Sequence, residues 1–262
     1  MASPTAKRTG VARKNMTHSP SGQGRLPPSA PSTLSSDAEL AAAIECLRRL
    51  DPGPIEAMLA AAGPPPLRKR EPGLAGLAWI VISQQVSTAS ARAIFGRFID
   101  RFPACAAAEI MAAPDEALRG CGLSSPKIRT MRALAGAMHA GDLDLARLAS
   151  APAEAARAEL VRIKGIGPWS ADIYLLFCLG APDVWPTGDL ALQEAARLAL
   201  GLPERPDARA LEAIGERWRP WRAAAARLLW AYYGAAASTT DRLTRVSGPS
   251  MARSQTDKRR QE

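Results

Sequence analysis

The sequence predicts an all-α fold, and three observations carry that prediction. No stretch alternates apolar and polar residues over strand length between turn pairs; apolar residues recur instead at three- and four-residue spacings; and glycines and prolines fall between the periodic segments as stops. With 262 residues, 47% of them hydrophobic, the chain can bury a sizeable core in one large or two small domains. No apolar run is long enough to span a bilayer, which argues against a membrane protein.

The net charge of +9 resembles a nucleic-acid footprint, but its distribution changes its meaning. Residues 1–36 hold five basic groups and no acid, and residues 241–262 hold six basic and three acidic groups. Residues 37–240 are left with 23 basic and 22 acidic groups, so a DNA-binding face there must come from segregating charges rather than from an excess. Residues 1–36 are rich in Ser, Pro and Gly and lack apolar periodicity, which predicts a disordered basic tail adding salt-sensitive phosphate attraction; a transit peptide is the alternative. Residues 241–262 read the same way, leaving 37–240 as the helical domain.

Helices follow in order. Leu40, Ile44, Leu47 and Leu50 lie on one face, with Ser35 or Ser36 as cap and Pro52 and Gly53 as the stop. A shorter helix covers Ile55 to Ala61, and the basic Arg68, Lys69 and Arg70 follow. Leu74 to Phe102 reads as two helices meeting near Ser83 to Ser87, the first almost wholly apolar and therefore buried. Gln84 and Gln85 end it as polar groups that are either bonded in the core or facing something outside. Pro114 to Arg119 is a short helix, and Ser125-Pro126 opens another through Ala140. On that helix Lys127, Arg129 and Arg132 read as a solvated face or as contacts to a DNA backbone. Asp142 to Leu148 and Pro152 to Ile163 come next. Later helices run from Asp189 to Leu200, from Asp207 to Arg217, and from Pro220 to a stop at Gly234.

Between the Pro152 helix and Asp189 lies the most informative stretch. Lys164-Gly165-Ile166-Gly167-Pro168 is a glycine hairpin between two helical runs, with Pro168 pre-setting the first turn of the second. It is either an ordinary tight helix–helix turn or an anion site made of free amides and a positive helix end. Asp189 heads LALQEAARLAL and is either a plain N-cap or a reactive carboxylate. The two roles are compatible, since a carboxylate fixed at a helix N-terminus keeps its direction.

KGIGPWSAD, followed about twenty positions later by the aspartate of PTGDLAL, resembles the helix-hairpin-helix base-excision DNA glycosylases, specifically the 3-methyladenine DNA glycosylase II branch. ISQQVS at 82–87, GLSSPKIRTMRALA at 122–135 and ERWRPWRAAAARLLW at 216–230 agree with it. The resemblance implies two helical subdomains with an active-site cleft between them, and double-stranded DNA carrying alkylated bases as partner. It assigns catalysis to Asp189 and base-pocket roles to Trp169 and Trp230, with Tyr174 and Trp185 added from position. It places the hairpin residues Lys164, Gly165, Ile166, Gly167 and Ser170 against DNA, and Gln85 in the gap left by an extruded base. Where strand-nicking relatives carry a lysine, two residues past the second hairpin glycine, this chain has Trp169, so the expected reaction is simple hydrolysis. Four widely spaced cysteines without C-x-x-C, and only two histidines, suggest neither zinc nor disulfides; the closing cysteine cluster of some relatives is missing, and no cofactor or metal is expected. A cytoplasmic, nucleoid-associated monomer fits these expectations.

Overall fold

The computed structural model describes residues 33–246, and among them the regular structure is helical throughout. The helices are α1 (Asp37–Leu50), α2 (Pro52–Ala62), α3 (Leu74–Ser83), α4 (Thr88–Arg101), α5 (Ala107–Ala112), α6 (Asp115–Gly120), α7 (Ser125–Ala140), α8 (Leu145–Ala149), α9 (Ala153–Val161), α10 (Pro168–Tyr174), α11 (Leu190–Ala199), α12 (Ala208–Gly215) and α13 (Arg222–Val246). A π-helical turn, Leu175–Leu179, prolongs α10, and a 3-10 turn, Glu216–Trp218, follows α12.

Local chemistry sets the boundaries. Ser36 caps α1 in a reciprocal box with Glu39, each side chain bonding the other's backbone N–H. The Ser87 hydroxyl accepts from Ser90 N and starts α4, as its position predicts. Three differences from the sequence reading have physical reasons. Leu34, assigned to the tail, is buried, and its N–H donates to Gly180 O at 2.6 Å, so the folded part begins before residue 37. Gly234 does not end the last helix, which continues to Val246, because one glycine inside a helix costs only about 1 kcal/mol. The short α5 was not foreseen; six residues are too few to show a period. The rest of both basic tails, residues 1–32 and 247–262, lies outside the described residues.

Two groups of helices emerge from the packing. One joins the first and last described helices: α1, α2, α11, α12 and α13. The other comprises the middle of the chain, with α3 against α4, α7 and α10, α7 against α5 and α6, and α9 against α10. The expected pair of helical subdomains is thus present. No helix among the described residues is long and apolar enough to cross a membrane.

Two of the basic side chains offered as DNA contacts are used inside the fold. Lys127 donates to Ile82 O at 2.7 Å, satisfying a free carbonyl at the end of α3. Arg132 closes the end of α5 by donating to the carbonyls of Ile110, Met111 and Ala113. Arg129 is exposed.

The helices flanking the hairpin are held together by Arg157 on α9, whose Nε donates to Asp172 Oδ1 on α10 at 2.7 Å. Burial raises the Asp172 pKa, and Arg157 opposes that shift. Replacing Arg157 by Met removes the opposing charge and raises the folded-state pKa further. An acid with a raised folded pKa is costless while protonated in both states and penalised once pH exceeds its unfolded value. The variant is therefore expected to lose about 1–3 kcal/mol at pH 7, discounted because Arg157 is a third exposed, and much less near about pH 3. Urea unfolding at both pH values checks it, and an equal loss at both would refute the assignment.

Candidate active site

A cleft of about 300 Å³ lies between the two helical groups, with Trp79, Trp169, Ile173 and Phe177 on one side and Asp189 and Trp230 on the other. Asp189 is the N-cap of α11 as its sequence position predicts, its Oδ1 accepting from Leu192 N at 2.7 Å. The same carboxylate also accepts two indole N–H bonds, from Trp169 at 2.8 Å on Oδ2 and from Trp230 at 3.1 Å on Oδ1. Three donors on two oxygens leave the group little freedom to rotate. Its loop is held as well: Asp189 N donates to Pro186 O, and the buried Gln193 amide donates to Thr187 O at 2.8 Å.

The aromatic walls are built from behind. Phe177 stacks on Trp230 with centroids 5.6 Å apart and planes at 25°. Phe177 belongs to the π turn, whose altered register leaves Leu176 O without its usual partner; the buried Arg227 on α13 donates to it at 2.8 Å and to Leu67 O at 3.1 Å. Burial lowers the Arg227 pKa to about 10, and its guanidinium lies 5.1 Å from the Phe177 ring centroid. Arg227 thereby fastens the turn and the segment before α3 to the helix bearing Trp230.

Two proposed pocket residues lie elsewhere. Tyr174 is wholly buried, and its hydroxyl accepts from Gly73 N at 2.9 Å; it points into the core on the side of α10 away from the cleft-lining Ile173, and burial pushes its pKa up to about 12. Trp185 is also core: its indole N–H donates to Leu211 O at 2.9 Å, it meets Trp218 edge to face, and it packs where a Cβ on Gly215 would sit. Loop position brought Trp185 near Asp189 in sequence, but the chain turns between them.

The hairpin divides similarly. Lys164, Gly165, Gly167 and Pro168 are exposed, whereas Ile166 is buried and its N–H is spent on Ile163 O at 3.0 Å. Ser170 is also buried, accepting from the Gln84 amide at 2.9 Å. The Ile166 and Ser170 side chains, both placed against DNA by the resemblance, are turned into the fold. Of the two glutamines, Gln84 is the structural one, spanning from α3 to the hairpin, with Gly165 O also within 3.4 Å. Gln85 is exposed with φ +55°, an uncommon conformation for a residue with a Cβ, and directly precedes the cleft-lining Val86. Sequence reasoning missed Trp79, Phe177, Arg68 and Arg70. The one available signal for Trp79 was a tryptophan in an otherwise aliphatic helix. All four cysteines are free and buried, which makes them packing residues.

Residues 78–220, more than half of the chain, match the sequence profile of the HhH-GPD superfamily base excision DNA repair proteins. The chain belongs to this superfamily. Among curated relatives it is 34% identical over 170 residues to DNA-3-methyladenine glycosylase 1 of Schizosaccharomyces pombe, covering 63% of this chain and 73% of the relative. It is 36% identical over 164 residues to the probable bifunctional transcriptional activator/DNA repair enzyme AlkA of Mycobacterium tuberculosis, where the match spans 57% of this chain but only 31% of the relative. The fold is similar to that of the S. pombe 3-methyladenine DNA glycosylase solved with abasic DNA, at a TM-score of 0.67 and 30% identity, covering 72% of this chain and 94% of that one. It is likewise similar to a DNA-3-methyladenine glycosidase from Bacillus halodurans, at a TM-score of 0.65 and 30% identity, covering 78% and 94%.

Proposed function

We propose that the chain is a monofunctional DNA glycosylase that rotates alkylated purines such as 3-methyladenine and 7-methylguanine out of duplex DNA and hydrolyses the N-glycosidic bond, leaving an abasic site. The observation that carries this reading is the Asp189 carboxylate, aimed into an aromatic cleft and gripped by the indole N–H groups of Trp169 and Trp230. A base inside a duplex is out of reach, so it must leave the stack and be held between apolar or aromatic faces. A purine alkylated at a ring nitrogen is cationic in DNA, which suits electron-rich indole and phenyl faces and makes the base a good leaving group. As that base departs, positive charge develops on the sugar, and a fixed carboxylate stabilises it and then orients or deprotonates the attacking water.

The hydrolytic outcome is supported by the residues around Asp189. Trp169 occupies the hairpin position where a lysine nucleophile is expected in strand-nicking relatives, and no lysine lines the cleft among the described residues. A non-catalytic hairpin module fits the geometry less well, because it has no use for a carboxylate that faces a cavity and bonds no arginine. The direct test is chromatographic detection of free methylated purines released from alkylated duplex DNA, with borohydride added in a parallel reaction. Release without a trapped protein–DNA adduct is expected; an adduct would sink the monofunctional reading, and DNA binding without release would sink the enzyme reading.

A further inference from the structure

Arg70 lines the same cleft as Asp189, Trp169 and Trp230. Its guanidinium carbon lies 3.8 Å from the centroid of the Trp79 ring, and Trp79 is fixed edge-on by Phe95, with centroids 5.2 Å apart and planes at 84°. Its backbone N–H donates to Phe177 O at 2.9 Å, tying it to the π turn whose Phe177 also lines the cleft. The side chain is half-buried, and burial lowers its pKa, yet a guanidinium stays protonated at neutral pH. Among the described residues no carboxylate forms an ion pair with it, and besides burial the charge of Arg92 also disfavours its cationic form. A structural arginine in this fold looks different: Arg227 spends its donors on backbone carbonyls and Arg222 on Asp183 and Glu212.

A fixed, partly desolvated and unpaired cation in so small a cleft has two consequences for an incoming base. It opposes a base that is itself cationic, and it offers parallel N–H donors to an oxygen acceptor. Purine lesions divide on these two properties. In DNA, 3-methyladenine is cationic and has no carbonyl, 7-methylguanine is cationic but carries O6, and hypoxanthine is neutral and carries O6. We propose that Arg70 is a specificity-determining residue that donates to a purine O6, so that among the bases released the cleft favours those bearing O6, hypoxanthine included, over 3-methyladenine. The proposal rests on the glycosylase reading above. A phosphate contact is the competing use of the same cation, but Arg70 is half-buried against Trp79, whereas Arg68, which lines the same cleft, is exposed and better suited to a backbone phosphate.

The test compares wild type, Arg70→Met and Arg70→Lys for release of 3-methyladenine and 7-methylguanine from methylated duplex DNA, and of hypoxanthine from a duplex containing a single deoxyinosine. Methionine keeps an apolar stem on Trp79 without charge or donors; lysine keeps the charge without the fork. The expected result for Arg70→Met is a fall of about tenfold or more for hypoxanthine and 7-methylguanine, with 3-methyladenine unchanged or faster, and an intermediate pattern for Arg70→Lys. Equal falls on all three bases, or unchanged ratios, would overturn the proposal and point to a phosphate or structural role. If the wild type releases none of the three, the glycosylase reading fails first and takes this one with it.

Discussion

Asp189→Asn is expected to slow release of methylated purines by about two to three orders of magnitude while affinity for abasic duplex DNA changes little. In the proposed mechanism the charge is what matters, since an amide of the same shape would offer a weak dipole where a full negative charge would face the developing oxocarbenium ion. Part of the loss has a second origin that is specific to this site. Oδ1 already accepts from Leu192 N and Trp230 Nε1, and Oδ2 from Trp169 Nε1. An asparagine that keeps its oxygen on the doubly used side must turn its NH₂ toward the Trp169 N–H, donor against donor. Trp169→Phe separates the two effects because it deletes that N–H and leaves the carboxylate. If charge dominates, Trp169→Phe should cost only about tenfold, the scale of one hydrogen bond to a charged group. Equal losses in the two variants would mean that Asp189 acts mainly by holding the indoles, and release by Asp189→Asn within about tenfold of wild type would remove it from the chemistry altogether.

How far the sequence disclosed this site depended on whether a residue's role was local or relayed. The capping function of Asp189 was legible because a cap is a relation between neighbours in the chain, and the same holds for Ser36 and Ser87. The all-helical class and the junction between α3 and α4 followed from apolar periodicity, which burial then enforces. What the sequence did not disclose was direction. Tyr174 and Ile173 are adjacent, yet one points into the core and the other into the cleft, and a helix of seven residues is too short for its pattern to say which. Trp185 is four residues from Asp189 and on the other side of a turn. Arg227 and Arg70 illustrate the remaining gap: one basic residue on an alanine-rich helix and another in a basic cluster, indistinguishable by composition, become a buried fastener and an unpaired cation only once distant carbonyls and rings have come around them.

The hairpin's two glycines, equal in the sequence, are expected to respond in opposite ways to alanine. Gly165 has φ +93°, and a Cβ there would fall 1.9 Å from Thr130 Oγ1 and 2.8 Å from Thr130 Cβ on α7. Thr130 is buried and its hydroxyl donates to Pro126 O, so it cannot swing away without losing that bond. A left-handed backbone costs a residue with a Cβ about 1–2 kcal/mol, and overpacking adds about 1–3, so Gly165→Ala is expected to lower unfolding stability by about 2–5 kcal/mol. Gly167 has φ −90°, and a Cβ there would meet nothing within 4 Å. Nothing inside the fold therefore requires a glycine at 167, and Gly167→Ala should leave stability within about 0.5 kcal/mol of wild type or raise it slightly. In the proposed mode of DNA binding, the open space at Gly167 would instead admit a backbone phosphate close to the hairpin, where a Cβ would stand in its way. Gly167→Ala is accordingly expected to weaken duplex DNA binding by about tenfold with its thermal midpoint intact, whereas Gly165→Ala loses binding only as it loses the fold. Unchanged affinity in a fully folded Gly167→Ala would leave the hairpin as a turn and move the DNA contact elsewhere on the cleft's edge.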